Sequence, residues 1–275
     1  MPFLNVFGHI NRDIILRVQD IPRIGSVAVT RREICCGGTA FNTAMVAAKL
    51  QVSVDIYSAV GKSLEECVEI LRINGVGVGG VLFGEDDGPF CYIIDDGKEQ
   101  VAAIYQGPMD NASWSSFDEA EWTHFCTGSP EAYLDVADKL KGRIALDPGQ
   151  EVFYKYDEAI LASLLRYADL LFCNKNEYAY IRKLVGKPKI PIIMTLGGEG
   201  ACLIHGNEEI FCPTKRVDNV VKTVGAGDSF RAGFYRALMN GENLKEAIQF
   251  ANAVASKYVR GDLTIESELS PVWLI

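Results

Sequence analysis

The sequence predicts an α/β protein of three layers, α/β/α, with a mostly parallel central sheet and a small β-sheet apart from it. Two observations carry this. Short apolar runs alternate with helical patterns along the 275 residues, and several of the runs close on a glycine or a polar residue. Strands buried on both faces read as continuous apolar stretches, and strand–helix alternation feeds parallel pairing. Ligands of such sheets collect beyond the carboxyl ends of the strands, so the polar strand ends are where chemistry is expected.

Taken in order, strands are expected over 4–10, 54–60, 125–128, 144–147, 170–174 and 190–196. Their ends carry Gly8-His9, Gly61, Asp147, Asn174 and Gly197. Helices are expected over 40–50, 64–73, 132–141 and 159–167. Two segments break the alternation. Residues 27–35 read as an extended piece rich in valine and arginine, and 90–94 and 101–105 flank Asp95-Asp96-Gly97-Lys98. An Asp-Gly pair between two β-type runs signals a hairpin. Local pattern alone leaves this either a flap that closes over a substrate or an ordinary edge hairpin. The glycine-rich stretch 75–80 follows a helix and precedes a strand, the wrong order for phosphate capture, and reads as a helix C-cap and turn.

Nearly half of the residues are hydrophobic, which suffices for a large core. Net charge is −9. An acidic chain is poorly suited to sequence-independent nucleic-acid binding, which needs Lys and Arg to replace phosphate counterions, but local backbone N–H groups can still hold a nucleotide. The eight cysteines form no CxxC pair, and Cys35 and Cys36 are adjacent, so reduced, buried thiols in a cytoplasmic protein are expected. No signal peptide and no apolar run long enough to span a bilayer are found.

Two loops carry the chemistry. Thr223-Val224-Gly225-Ala226-Gly227-Asp228 runs into a helix whose buried face is Phe230, Gly233, Phe234, Ala237 and Leu238. Small residues let N–H groups approach an anion, and the helix dipole adds to the attraction. A carboxylate beside phosphates is costly unless it accepts a proton from an attacking hydroxyl. The plainer reading of Asp228 is a helix N-cap. Gly37-Gly38-Thr39-Ala40-Phe41-Asn42 likewise leads into a helix. There the glycines permit close approach and Asn42 can both donate and accept hydrogen bonds.

With both loops in this order, near the N-terminus and in the last quarter, the chain resembles the ribokinase family, the PfkB-type carbohydrate kinases, over essentially its whole length. The resemblance implies a ribokinase-like single domain over 1–275, with β-lid segments at about 12–36 and 80–107, and the lid of one copy can pair with another in a homodimer. It implies an ATP-dependent kinase of a small-molecule hydroxyl, with Asp228 as catalytic base and Gly225, Ala226 and Gly227 as the anion hole. Asn174-Lys175-Asn176-Glu177 is similar to the family's Asn-x-x-Glu element, in which Glu177, with Asn174 beside it, helps hold Mg²⁺ and its waters. Magnesium indeed prefers few carboxylates plus water. Thr195, Gly197, Gly200 and Thr223 are implied at the nucleotide's phosphates, and Asn252 at its base.

On the acceptor side the resemblance implies Asn11, Asp13, Gly38 and Asn42. A carboxylate such as Asp13 can accept bonds from two adjacent hydroxyls. His9 reads as structural. One residue departs from the family pattern: Lys222 stands where potassium-activated members carry an aspartate, so a potassium requirement is not expected. Lys222 either supplies a built-in charge, faces the phosphates, or points to solvent. The acceptor is expected to be a neutral sugar or polyol, with a nucleoside as the other candidate and Phe41, Phe90, Tyr92 and Tyr105 available to stack on a base. A non-catalytic nucleotide- or sugar-binding regulator is the alternative from another class. A dinucleotide-dependent oxidoreductase lacks its Gly-x-Gly-x-x-Gly loop, since Gly8 is followed by His9-Ile10-Asn11.

Overall fold

The computed structural model describes residues 1–263. The chain opens with β1 (Leu4–Phe7), then leaves the main sheet for β2 (Asn11–Arg17) and β3 (Arg31–Gly37). It returns through α1 (Thr39–Lys49), β4 (Val54–Val60), α2 (Glu65–Ile73) and β5 (Gly77–Phe83). A second excursion makes β6 (Phe90–Asp95) and β7 (Gln100–Tyr105). The rest alternates: β8 (Trp122–Phe125), α3 (Pro130–Ala137), β9 (Arg143–Leu146), α4 (Glu158–Tyr167), β10 (Leu170–Asn174), α5 (Lys175–Val185) and β11 (Ile192–Thr195). A terminal hairpin, β12 (Gly200–His205) and β13 (Glu208–Pro213), precedes α6 (Ala226–Met239) and α7 (Leu244–Val259).

Nine strands form the main sheet in the order β13-β12-β11-β10-β9-β8-β1-β4-β5. Its pairs are parallel from β5 to β11 and antiparallel at β11–β12 and β12–β13. Both faces are covered. Leu4 and Val6 of β1 share a core with Phe41, Met45, Phe230, Phe234 and Ile248, which places α1, α6 and α7 on one side. Phe7, Phe125, Tyr133, Leu161 and Ile181 form the other core with α3, α4 and α5. The chain order reverses between β1 and its neighbours β4 and β8, so a crevice opens at the carboxyl ends of β1 and β8.

The four-stranded second sheet has the order β3-β2-β6-β7 and matches the expected lid. Two expectations change. Residues 80–83 are not in the lid sheet: they belong to β5, which pairs with β4 along the edge of the main sheet. The thiols are not all reduced either, because Cys36 at the end of β3 is disulfide-bonded to Cys67 in α2, and Cys35 lies exposed. The two bonded cysteines are 31 residues apart, and only the fold of β3 over α2 reveals that they meet. Elsewhere boundaries shift by a turn or less. The β8 strand precedes its expected span, and α3 starts at Pro130 because the Ser129 hydroxyl caps it. Of the stretch 75–80 only the first two residues form the expected cap and turn, with Gly75 at φ 84°; residues 77–80 already belong to β5.

Candidate active site

The two signature loops meet. Helix α1 packs beside α6, and Asn42 in the first turn of α1 donates from Nδ2 to Asp228 Oδ2 at 2.8 Å. Asp228 is the third residue of α6 and lies half-buried at the mouth of the crevice. Burial pushes its carboxyl up to about 6, although Arg231 and the Asn42 amide pull the other way. A carboxylate poised there can take a proton near neutral pH.

Around it, backbone donors converge. The Ala226 N–H is engaged by Thr223 O at 3.1 Å, which removes it from the expected anion hole. The N–H groups of Gly225, Gly227 and Asp228 have no protein acceptor among the described residues. They are the unfilled donors of a helix start.

The acceptor side lies across Asp228. Asp13 projects from β2 of the lid sheet, and Asn11 stands two residues before it on the same face. Both side chains are buried, and Asn11 Oδ1 and Asp13 Oδ1 have no hydrogen-bond partner among the described residues. Buried polar atoms without partners are rare and point to a ligand that supplies them. Burial, and then the charge of Asp228, raise the Asp13 carboxyl to about 7. Gly37 has to be glycine here, because a Cβ would lie 2.1 Å from Asp13 Oδ2. Gly38 is the N-cap of α1, directly beside it. His9 is structural: Nδ1 pairs with Thr127 Oγ1 at 3.0 Å and Nε2 with Gln106 Oε1.

On the donor side, a cavity of about 620 Å³ is lined by Thr195, Gly197, Gly200, Thr223, Gly227 and Asn252, all of them residues that the sequence singled out. Lys215 and Arg216, which the sequence did not single out, line it as well. Asn252 is held by donation from Nδ2 to Cys212 O at 2.9 Å. A second cavity of about 220 Å³ continues from it to Asp228 and is lined by Asn174 and Glu177, together with Asp147 and Arg231. Thr195 and Gly227 line both cavities.

Glu177 and Asn174 form a reciprocal capping box at the start of α5. Glu177 Oε2 accepts from Asn174 N at 2.7 Å and Oε1 from Asn174 Nδ2 at 2.6 Å. Among the described residues no cluster of three or more His, Cys, Asp or Glu could cage a metal. One engaged carboxylate beside this cavity would suit a magnesium ion held mainly by phosphates and water, with Glu177 and Asn174 as the residues that would hold it. Lys222 points neither into these cavities nor into open solvent: its Nζ lies 4.4 Å from the Tyr258 ring centroid.

A family model for pfkB family carbohydrate kinases matches residues 1–270. The chain belongs to this family. This kinase is a phosphotransferase with an alcohol group as acceptor, and kinases of this family take the phosphoryl group from ATP. It is 38% identical over 259 residues to a nucleoside kinase of Thermoplasma acidophilum, across 93% of this chain and 88% of that protein. A nucleoside kinase of Methanothermobacter thermautotrophicus is 29% identical over 94% of this chain and 89% of its own. The crystal structure of the Methanocaldococcus jannaschii nucleoside kinase superposes with a TM-score of 0.87 at 26% identity, covering 94% of this chain and 92% of that one. The lid and the nine-stranded sheet are thus those of a ribokinase-like kinase. No helix among the described residues is long and apolar enough to cross a membrane.

Proposed function

We propose that this kinase transfers the γ-phosphoryl group of ATP to a hydroxyl on the sugar ring of a nucleoside, with Asp228 as the base. The observation that carries this reading is the pairing of Asn42 with Asp228, opposite the unpartnered oxygens of Asn11 and Asp13. The sugar ring, whether free or part of a nucleoside, bonds to those oxygens and to the Gly38 backbone. The relatives named as nucleoside kinases extend the reading from a bare sugar to one carrying a base. Phe90 and Tyr105 stack with ring centroids 6.3 Å apart, but the register puts them on the lid face opposite Asp13, so they are not the surface that meets the base.

The transfer is direct and in line. The acceptor hydroxyl lies between Asp228 and the γ-phosphorus, and Asp228 takes its proton as the O–P bond forms. Gly225, Gly227 and Asp228 N–H groups stabilise charge on the equatorial oxygens. Thr195, Gly197, Gly200, Thr223 and Asn252 hold the nucleotide. Magnesium, when bound through water near Glu177 and Asn174, neutralises phosphate charge. The lid keeps water from replacing the acceptor.

The ammonium of Lys222 supports activity without potassium, because it carries a fixed positive charge onto Tyr258 at the end of α7. The outer lid face, with Ile34 42%, Tyr92 41% and Val101 53% exposed, supports a homodimer through the lids. The chain is proposed to work in the cytoplasm.

The test is ADP production from Mg-ATP against nucleosides, neutral sugars, polyols and sugar acids, with and without potassium. Turnover with nucleosides well above that with free sugars is the expected result. A free sugar or polyol as the best acceptor would remove the base from the reading. Light scattering of the purified protein tests the dimer, and a monomer at micromolar concentration would refute it.

A further inference from the structure

The cavity beside Asp228 holds a cation that the chemistry above leaves unused. Arg231 lies on α6 one turn beyond Gly227, and its side chain is nearly buried. Its Nε donates to Asp147 Oδ2 at 2.5 Å and its Nη2 to Asp147 Oδ1 at 3.0 Å. Its Nη1 makes no hydrogen bond to the protein among the described residues. That nitrogen sits against the phosphate loop, since a Cβ on Gly227 would lie 2.6 Å from it. Both Arg231 and Asp147 line the second cavity with Asp228.

The pair is fixed from behind. His124 Nε2 lies 3.4 Å from Asp147 Oδ2, and its Nδ1 pairs with the Tyr235 hydroxyl at 2.7 Å. The ring turns Nε2 toward Asp147 without closing a hydrogen bond, and burial favours its neutral form. Burial alone would raise the Asp147 carboxyl, but Arg231 and His124 outweigh it and hold it at about 2. The guanidinium is therefore locked by a fork, with one N–H edge left over and aimed at the cavity. A buried ion pair is a poor way to stabilise a fold, since apolar residues of similar size commonly do as well. A planar donor with a free edge beside an anion hole has a chemical use.

We propose that Arg231 contacts the transferring phosphoryl group, donating from Nη1 to a γ-phosphoryl oxygen while Asp147 holds it in position. During transfer the bond from the γ-phosphorus to the bridging oxygen breaks, and ADP leaves with that electron pair. The acceptor oxygen bonds to phosphorus, and its proton passes to Asp228. Arg231 gains and loses no proton; it stabilises charge that spreads onto the equatorial oxygens. Unlike an arginine brought by a partner protein, this one is built into the helix that carries the base. Asp147 is a positioning residue. The inference rests on the reading of the Asp228 loop as the site of transfer.

The test compares Arg231→Gln, the charge-neutral double variant Arg231→Gln/Asp147→Asn, Asp147→Asn and Asp228→Asn in steady-state kinetics with the unaltered kinase. The double variant leaves no unpaired buried charge, so it separates chemistry from folding. We expect its kcat to fall by about 10²-fold or more, while the KM for ATP stays within about threefold. Asp147→Asn is expected to lower kcat by less, with the same unchanged KM. A double variant within about threefold of the parent kcat, when Asp228→Asn is inactive, overturns the proposal and leaves the Asp228 reading standing. Full turnover in Asp228→Asn overturns both. A crystal structure of the unaltered protein with Mg-ADP and aluminium fluoride decides the matter however the variants fold. Nη1 within hydrogen-bond distance of a fluoride supports the contact, and separation beyond about 5 Å overturns it.

Discussion

The amide of Asn42 donates to the carboxylate of Asp228 across 2.8 Å, joining residues 186 apart in the chain. One hydrogen bond thus fixes the proposed base against the loop that carries the acceptor side. It also favours the ionised carboxylate, which is the form that can accept a proton.

Asp228→Asn keeps the size of the side chain and removes the base. Turnover is expected to fall by roughly 10²–10⁴-fold, with ATP binding by calorimetry nearly unchanged. Turnover equal to that of the parent would refute the assignment of Asp228.

The carboxyls of Asp228 and Asp13 rise on folding to about 6 and about 7. Between the ordinary carboxylate range and those values the folded state binds more protons than the unfolded chain. Stability from these two groups therefore falls as pH rises from about 4 to about 7. Asp13→Asn is expected to raise the melting temperature at pH 8 and to change it little at pH 5, read by calorimetry without ligand. An equal shift at both pH values would show that Asp13 is not the strained group. For activity the direction is opposite: kcat/KM should be lost as pH falls through about 6, where Asp228 takes up a proton.

Glu177 both caps α5 and faces the second cavity. Glu177→Gln retains one acceptor oxygen for the cap, so stability should drop by only about 1 kcal/mol. The magnesium concentration for half-maximal rate should rise. If the magnesium titration is unaltered, Glu177 is a cap and nothing more.

The Cys36–Cys67 bond closes a stretch of 31 residues and ties the end of a lid strand to α2. Arg12 of β2 reinforces the tie by donating to Ser63 O at 2.6 Å and pairing with Glu66. Cys67→Ser is expected to lower unfolding free energy by about 2–4 kcal/mol in denaturant titrations without reductant. In the presence of reductant the variant and the parent should converge, and a difference that persists would assign the effect to packing.

Much of this was legible from the chain because the signals are local. The strands at 54–60 and 170–174 were read to the residue, since both are mainly apolar runs with a clear end, at Gly61 and at Asn174. Asp228 and Asn42 could be marked because each sits where a glycine loop becomes a helix, and Asn174 and Glu177 through the resemblance of their Asn-x-x-Glu element. What escaped depends on distant partners. Arg231 looks like any polar residue on a helix until Asp147, 84 residues away, is placed beside it. Cys36 and Cys67 carry no spacing that marks a pair. Residues 80–83, Gly-Val-Leu-Phe, joined the main sheet rather than the lid, and such a short apolar run suits the edge of either sheet.

The placement of α6 beside α1 has a consequence for how the protein is made. Synthesis proceeds from the N-terminus, and a domain folds as a unit once its residues have emerged. The loop before α1 leaves the ribosome long before the helix that carries the proposed base. A chain halted short of Asp228 lacks Phe230, Phe234 and Ile248, which share a core with β1 and α1, as well as the proposed base. The last quarter of the chain therefore completes the core and brings in the proposed base in one step, and an incomplete translation product would lack both.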